Sequence, residues 1–404
     1  MRRILLSALL VLAAAPAAAQ RAGDVPRRPA LPAAADSNDA RSYMELGERL
    51  LNQRPRDAAD AFYWAFQLNP TLSDALYGRY TALLMTDPRR LVSYWEGERR
   101  TLRRADVQAM DSLYFRALTM DPFLYRRFEA GLFRFYMESW VRQELDASGG
   151  MHIPETELQR YVSNAIMDGG PYVQAREAYA RGSHEDALRL YADAISKTRR
   201  KSGLRADRAR LLAHLQSWAP ALQEMTQSLE ELRREDERDV VYLYESKALM
   251  EHGIGLLNER MGNLPAAREA YGRALTEELT YYPAHVRMAT LALTEGDTAA
   301  AVAEFDLAAQ ATSEPSVLYA YGAMLTQIGR YDDAARQFER VIGVAPYYAE
   351  PYFGLGMVRD AQGNPSGAAD AFRQFLSRAR QNHGRRPHAE QRLQAIAAEA
   401  GGSR

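Results

Sequence analysis

The sequence contains no cysteine and only three lysines among its 404 residues. The lack of cysteine excludes disulfides and lipid attachment at a thiol, so the fold must depend on a packed core, for which the length is ample. An excess of one charge is also lacking, because 51 basic and 52 acidic side chains give a formal net charge of −1. A chain this close to neutral has no overall field that would attract nucleic acid or an acidic membrane.

Long apolar runs are missing except at the amino terminus. There, Arg2 and Arg3 precede an apolar run over 4–15, and Ala17–Ala19 supply the small residues of an A-x-A site. These features are typical of a secretory signal peptide, and the run is shorter than the roughly 20 residues of a membrane-spanning helix. We therefore expect residues 1–19 to be removed and the mature chain to be periplasmic or secreted, without a transmembrane span. A retained membrane anchor is the alternative.

Alternation of apolar and polar residues, the pattern of strands, is absent as well. Amphipathic runs with a helical period fill the chain from Tyr43 onward, and within them a pattern of small and aromatic residues recurs every 33 or 34 residues. Its two clearest copies are Gly322, Gly329, Ala334 and Phe338, and then Gly356, Gly363, Ala368 and Phe372. Weaker copies begin at Ala58, Ala187, Ala221, Ala267 and Ala301. Internal repetition with this period predicts a solenoid.

The pattern resembles the tetratricopeptide repeat, in which W-x2-L-G-x2-Y is followed by A-x3-F and then P. Leu318 replaces the tryptophan, and Arg359 stands where an apolar residue is expected. The resemblance implies an all-α fold, a right-handed superhelical solenoid of antiparallel helix pairs. It also implies that Gly322 allows two helices to approach closely and that Gly329 ends a helix in a left-handed turn.

The resemblance and the breaks between helical runs divide the chain into segments. We expect a Pro- and Ala-rich flexible tether over 20–37, N-terminal repeat-like helices over 38–84, a divergent helical segment over 85–172, a repeat array over 173–380, a capping helix over 387–400 and a tail over 401–404. A separate small helical domain is the alternative for 85–172.

In this family the first helix of each pair lines a concave face, where ligand peptides usually lie. The resemblance therefore implies a peptide-binding site at His252, Leu256, Glu259, Val286, Thr290, Tyr319, Ala323, Thr326, Phe353, Met357 and Asp360. The lysines and asparagines that hold a peptide carboxylate in some family members are missing, so an apolar or aromatic segment of another exported or envelope protein is the expected partner. Alternatively, these side chains pack against the tether, the terminal helix or the neighbouring repeat.

Residue groups that would support catalysis are lacking. Ser183, His184 and Asp186 are too close in sequence for a catalytic triad, and Ser183 and Asp186 instead predict a helix capping box. The seven histidines show no metal-ligand spacing. We therefore expect a non-catalytic scaffold without metal or cofactor, and no nucleic-acid partner.

A second function remains open at this stage. Phe128, Leu132, Tyr136 and Trp140 recur every four residues and predict one aromatic helix face. Arginine-rich groups lie at 99–104 and 197–210, the latter with seven basic residues and one acid. Together they favour an envelope assembly factor that binds a glycan or an anionic polymer.

Overall fold

The computed structural model of the chain describes residues 25–88, 91, 104–147, 154–236 and 246–402. The predicted signal peptide and residues 403–404 of the predicted tail lie outside the described residues. Within those ranges the chain forms nineteen helices and no strand. The helices are α1 (Ala40–Leu50), α2 (Pro55–Leu68), α3 (Ser73–Met85), α4 (Arg104–Met120), α5 (Glu129–Ala147), α6 (Glu155–Asp168), α7 (Gly170–Ala180), α8 (His184–Lys197), α9 (Ser202–His214), α10 (Trp218–Asp236), α11 (Lys247–Arg260), α12 (Leu264–Glu277), α13 (Tyr282–Thr294), α14 (Thr298–Ala311), α15 (Pro315–Gln327), α16 (Tyr331–Val344), α17 (Glu350–Ala361), α18 (Pro365–Arg378) and α19 (Arg386–Gly402).

Pairs of helices joined by short turns make up the fold. Three residues separate the two helices of each pair from α7/α8 to α17/α18, and each pair contacts the next along the chain. From α12 to α18 the second helices begin at residues 264, 298, 331 and 365, which reproduces the sequence period. The expected all-helical solenoid of helix pairs is therefore confirmed.

The turn within each pair depends on one residue with a left-handed backbone. Gly329 has φ +77°, and Arg330 donates its N–H to the Leu325 carbonyl at 2.8 Å, as in a Schellman motif. The predicted role of Gly329 is confirmed. In the turn between α9 and α10 the equivalent residue is Gln216, at φ +58°. This pair therefore keeps the left-handed turn, although the glycine of the sequence pattern is absent.

Close helix packing at the repeated glycines is also confirmed. A Cβ atom on Gly322 would lie 2.9 Å from Cε1 of Phe338, a ring that is only 2% exposed. The same ring would lie 2.5 Å from a Cβ atom on Gly354, in the next helix pair. Phe338 is therefore packed against glycine on both of its flanking pairs. The sequence pattern did not single out Gly354.

The predicted aromatic face of the divergent segment packs against the helices around it. Phe128 lies just before α5, with its ring centroid 5.7 Å from those of Phe62 and Tyr77. Leu132 is buried in the same N-terminal core, and Trp140 packs in a second cluster with residues of α6. The predicted aromatic face is therefore a core face and does not form a surface for a glycan.

The contacts of Ser183 and of the predicted tether bear on two further sequence expectations. Ser183 stands at the N-cap of α8, but its side chain makes no capping hydrogen bond, so the predicted capping box is wrong. Residues 25–37 of the predicted tether contact the helices: the Trp64 indole donates to the Pro26 carbonyl at 3.0 Å, and Arg28 donates to the Tyr43 hydroxyl at 2.9 Å. This part of the tether is held against α1 and α2.

Candidate protein-binding cleft

The carboxyl-terminal end of the predicted concave face is covered by the chain itself. Asp360 accepts two hydrogen bonds from Arg392 of α19, at 2.8 and 2.7 Å. His388, in the first turn of the same helix, lies with its ring 5.6 Å from that of Phe353 and its Nε2 3.2 Å from the Met357 sulfur. These three predicted site residues are therefore contacts of the terminal helix, as the self-packing alternative implies.

Tyr319 belongs to the same covered region. Its hydroxyl accepts a hydrogen bond from Arg385, the residue before α19, at 3.0 Å. Its ring lies 5.8 Å from Phe338 and 5.7 Å from Tyr348. Tyr319 thus connects the repeat core to the terminal helix.

The predicted polar residues in the middle of the face are bonded within the array. Thr290 and Thr326 each donate to a carbonyl one turn earlier in their own helix, both at 2.8 Å. Glu259 accepts from the Tyr271 hydroxyl at 2.7 Å and from Arg287 Nε at 2.9 Å. Ala323 is exposed. The structure does not bring these four residues together as a site.

His252 and Val286, by contrast, line a cavity of about 290 Å³ together with Leu256. The opposite wall comes from the N-terminal part of the chain, through Thr71 before α3 and Met120 at the end of α4. Sequence reasoning missed that wall because it lies more than 100 residues away and carries no repeat signal. The cavity is therefore a cleft between the repeat array and the N-terminal helices, not an open groove.

Arg287 is the charged side chain in the lining of this cavity, and it forms an ion pair with Glu259. Burial lowers the pKa of His252 to about 3, assisted by the nearby positive charge of Arg287, so the imidazole is neutral near pH 7. His252 Nδ1 lies 3.3 Å from the Tyr281 hydroxyl. Burial also raises the pKa of Tyr282, whose buried hydroxyl has no hydrogen-bond partner among the described residues. Such a wall suits an apolar or aromatic side chain.

A second cavity, of about 400 Å³, adjoins the first. Thr71 lines both, and the second is bounded by Asn38 and Arg41 on one side and by Arg380 and His383 on the other. Its lining is more polar than that of the first cavity. The two cavities therefore give the cleft an apolar end and a polar end.

Five contacts join the N-terminal helices to the array around these cavities, and we call them the closure interface. Three of them lie near the start of α1: Asn38 donates to the Ser377 carbonyl at 3.1 Å, Gln381 N–H donates to Asp36 at 2.6 Å, and Arg380 lies 3.9 Å from Asp39. The other two are Trp64 against Tyr347, with ring centroids 4.8 Å apart, and Arg116 Nη2 bonded to Glu314 at 2.9 Å.

Only part of the arginine-rich group at 197–210 lies at the surface. Arg205 and Arg208 both contact Glu224, and Arg210 is 2% exposed and bonded to Asp207 and the Pro122 carbonyl. Lys197, Arg199 and Arg200 are exposed. The group at 99–104 lies outside the residues whose side chains the structure describes. Three of the seven basic residues at 197–210 are therefore used in internal contacts and are not available to an anionic partner.

The tetratricopeptide repeat family matches residues 253–315 and 325–384. These two segments are similar to tetratricopeptide repeats. They include α12 to α14 and α16 to α18, with the predicted positions on α13 and α17, whereas Tyr319 and Ala323 of α15 lie between the two matched ranges. No curated protein matches the chain.

Solved structures with similar helical architecture share little sequence with the chain. The C-terminal part of a TPR repeat-containing protein from Cytophaga hutchinsonii has a TM-score of 0.42 and 15% identity, over 51% of this chain and 78% of that one. Yeast Tom70 has a TM-score of 0.42 and 12% identity over 90% and 89%. YrrB, a TPR protein with an unusual peptide-binding site, has 0.39 and 18% over 51% and 100%. Identity this low carries no functional information about this chain.

Two other classes of site are absent from the described residues. No helix among them is both long and apolar enough to cross a bilayer. Nor do they gather three or more histidine, aspartate or glutamate side chains into a group that could hold a metal ion.

Proposed function

We propose that this protein is a non-catalytic interaction scaffold that binds an extended segment of another protein in the cleft between its N-terminal helices and its repeats. The observation that carries the proposal is the cavity of about 290 Å³ lined by His252, Leu256 and Val286. These positions belong to the first helices of their pairs, which are the ligand-facing helices that the repeat resemblance implies.

The chemistry of the cavity indicates which segment would fit. A neutral imidazole, an aliphatic wall and one methionine favour a bulky apolar side chain, and complete burial of such a side chain contributes roughly 1.5–3 kcal/mol. The polar second cavity would then hold the neighbouring backbone or a polar side chain of the same segment. The preference for an apolar anchor agrees with the sequence, which lacks the lysines and asparagines of carboxylate-binding repeats.

Site-specific photo-crosslinking tests the proposed cleft. A photoreactive residue at Val286 should capture one protein from a native envelope extract, and the matched control at Leu307, an exposed residue on α14, should not. Val317→Asp, which places a charge in the cavity wall, should abolish the band, and the identified partner should then bind the purified protein. Equal capture at Val286 and Leu307 would contradict the proposal.

We further propose that the scaffold acts in the bacterial envelope after export, with a protein of the envelope or the exterior as its partner. Support comes from Arg2, Arg3 and the apolar run at 4–15. N-terminal sequencing of protein from the periplasmic fraction should give Gln20 as the first residue. The double variant Arg2→Glu/Arg3→Glu should slow export, because the positive n-region is removed. A full-length cytosolic product from the wild-type gene would contradict this location.

A further inference from the structure

We propose that the closure interface controls access to the cleft: α1 to α4 cover the concave side of the repeats and must separate from α15 to α19 before a partner segment can enter. The regulatory meaning of this movement rests on the proposed function. The movement itself does not, because it can be measured without a partner.

The closure interface differs in kind from the packing inside each repeat. Within the repeats, Phe338 fills the space between two glycines so completely that a single added carbon would lie 2.5 Å from its ring. At the closure interface, cavities of about 400 and 290 Å³ remain between the two sides. Four of its five contacts are hydrogen bonds or ion pairs, and those made by Asn38 and Asp36 are exposed. Polar intrachain contacts that leave such space are typical of parts that move relative to one another.

Separation at this interface would also leave the hydrophobic cores intact. The N-terminal core contains residues from α1 to α5 and one residue of the array, Leu249 on α11. The cores built around Phe338 and Phe372 contain no residue before Val286. The two sides therefore share a hydrophobic core near α11, whereas at α15 to α19 they meet through the ring pair of Trp64 and Tyr347 rather than through a shared core. This distribution places the pivot near α11 and the opening at the closure interface.

On the pivot side, by contrast, buried contacts join the N-terminal part of the chain to the array, and we call these contacts the anchor. Arg126 is bonded to Asp207 of α9, and Arg210 of α9 donates to the Pro122 carbonyl at 3.0 Å. Both of these hydrogen bonds are buried. Phe123 lies 3.5 Å from the Cβ position of Gly253 on α11. Because the anchor contacts are buried, whereas the closure contacts of Asn38 and Asp36 are exposed and that of Arg116 is half-buried, the closure interface is the one that gives way first.

The absence of cysteine allows a direct measurement of access in the full-length protein. Val286→Cys creates a single thiol in the cavity wall, and its rate of reaction with fluorescein maleimide reports how often the cleft admits a bulky group. The opening variant is Tyr347→Ala/Arg380→Ala, which removes one ring contact and one ion pair of the closure interface. It should raise the labelling rate at Val286→Cys several-fold and leave that at the exposed control Leu307→Cys unchanged.

A matched control and a second readout separate opening from unfolding. Tyr331→Ala/Arg373→Ala removes the same residue types from exposed positions of α16 and α18 that take no part in the closure contacts, and should leave the labelling rate unchanged. Spin labels at Glu45→Cys and Gln327→Cys, both exposed, should show a longer distance population in the opening variant only. An unchanged labelling rate together with an unchanged distance would overturn the proposal.

Cross-linking a second pair of cysteines tests whether holding the interface closed prevents binding. The protein carries the photoreactive residue in place of Val286. In addition, Asn38→Cys and Ser377→Cys are joined by a short bismaleimide, which holds the interface closed. Partner capture should fall in the joined protein and rise in the opening variant. A fall in capture on opening would overturn access control and would mean that the partner needs both walls together. If no variant captures a partner, the proposed function fails, and access control is judged on labelling and distance alone.

Discussion

The close packing of Phe338 between two helix pairs makes an unusual prediction about replacing glycine with alanine. Alanine is favoured over glycine by about 1 kcal/mol in a helix interior, so this change normally stabilises a helix. At Gly354 the added Cβ would lie 2.5 Å from Cζ of Phe338 and 2.8 Å from two further ring atoms. The ring cannot move away, because it already contacts the backbone of Gly322 on its other flank.

The expected cost follows from these distances. Adding a methyl group to a well-packed core costs typically about 1–3 kcal/mol, and here the flanking glycines prevent the usual relaxation. After subtraction of the gain in helix propensity, we expect Gly354→Ala to lose up to roughly 2 kcal/mol of unfolding free energy. The double variant Gly354→Ala/Phe338→Leu should show a smaller loss than the two single changes added together, because the shorter side chain leaves room for the methyl group.

Gly272 in α12 provides the matched control. It lies inside a helix, and a Cβ atom there would have no heavy atom within 4 Å. Gly272→Ala should therefore stabilise the protein by up to about 1 kcal/mol. Denaturant unfolding followed by circular dichroism compares the two variants with the wild type. If Gly354→Ala proved as stable as Gly272→Ala, the close-approach explanation of the repeated glycines would be wrong.

Two further predictions concern buried charge. Asp207→Ala should cost about 3–5 kcal/mol, because it removes a buried carboxylate that pairs with both Arg126 and Arg210, whereas Asp193→Ala, which breaks an exposed pair with a lysine, should change stability by less than about 1 kcal/mol. Equal losses in urea unfolding would refute this. His252, with a folded pKa of about 3 against roughly 6.5 unfolded, should make stability fall by about 1.4 kcal/mol per pH unit below pH 6, because the unfolded chain binds the extra proton. His252→Gln should flatten that dependence in unfolding measured at pH 7, 5.5 and 4.5.

The repeat architecture was predictable because its determinants recur locally. Gly329 and Phe338 act on neighbours within one pair or the next, and the same physical need appears again 34 residues later at Gly363 and Phe372. A single sequence therefore contains several independent copies of the same signal. The exception shows the limit: Gln216 adopts the left-handed conformation without glycine, so the pattern is lost although the turn is kept.

The cleft was not predictable in the same way. Its far wall, with Thr71 and Met120, and the contacts of Asn38 and Trp64 with the array each occur once, so no repeat marks them in the sequence. No period connects residues more than 200 positions apart. The sequence predicted which helices carry the ligand-facing positions but not which parts of the chain cover them. Of the predicted positions, His252, Leu256 and Val286 line the apolar cavity.

Coverage of the groove has a thermodynamic consequence for any partner. If the exposed contacts of the closure interface together stabilise the closed state by roughly 2–3 kcal/mol, only about 1% of molecules are open at equilibrium. A segment that enters only the open form then binds with an apparent dissociation constant about 100 times its intrinsic value. Weakening the closure interface without changing the wall of the apolar cavity should recover part of this roughly 100-fold loss of affinity. The affinity would then depend partly on Tyr347 and Arg380, which do not line the cavity that holds the apolar side chain.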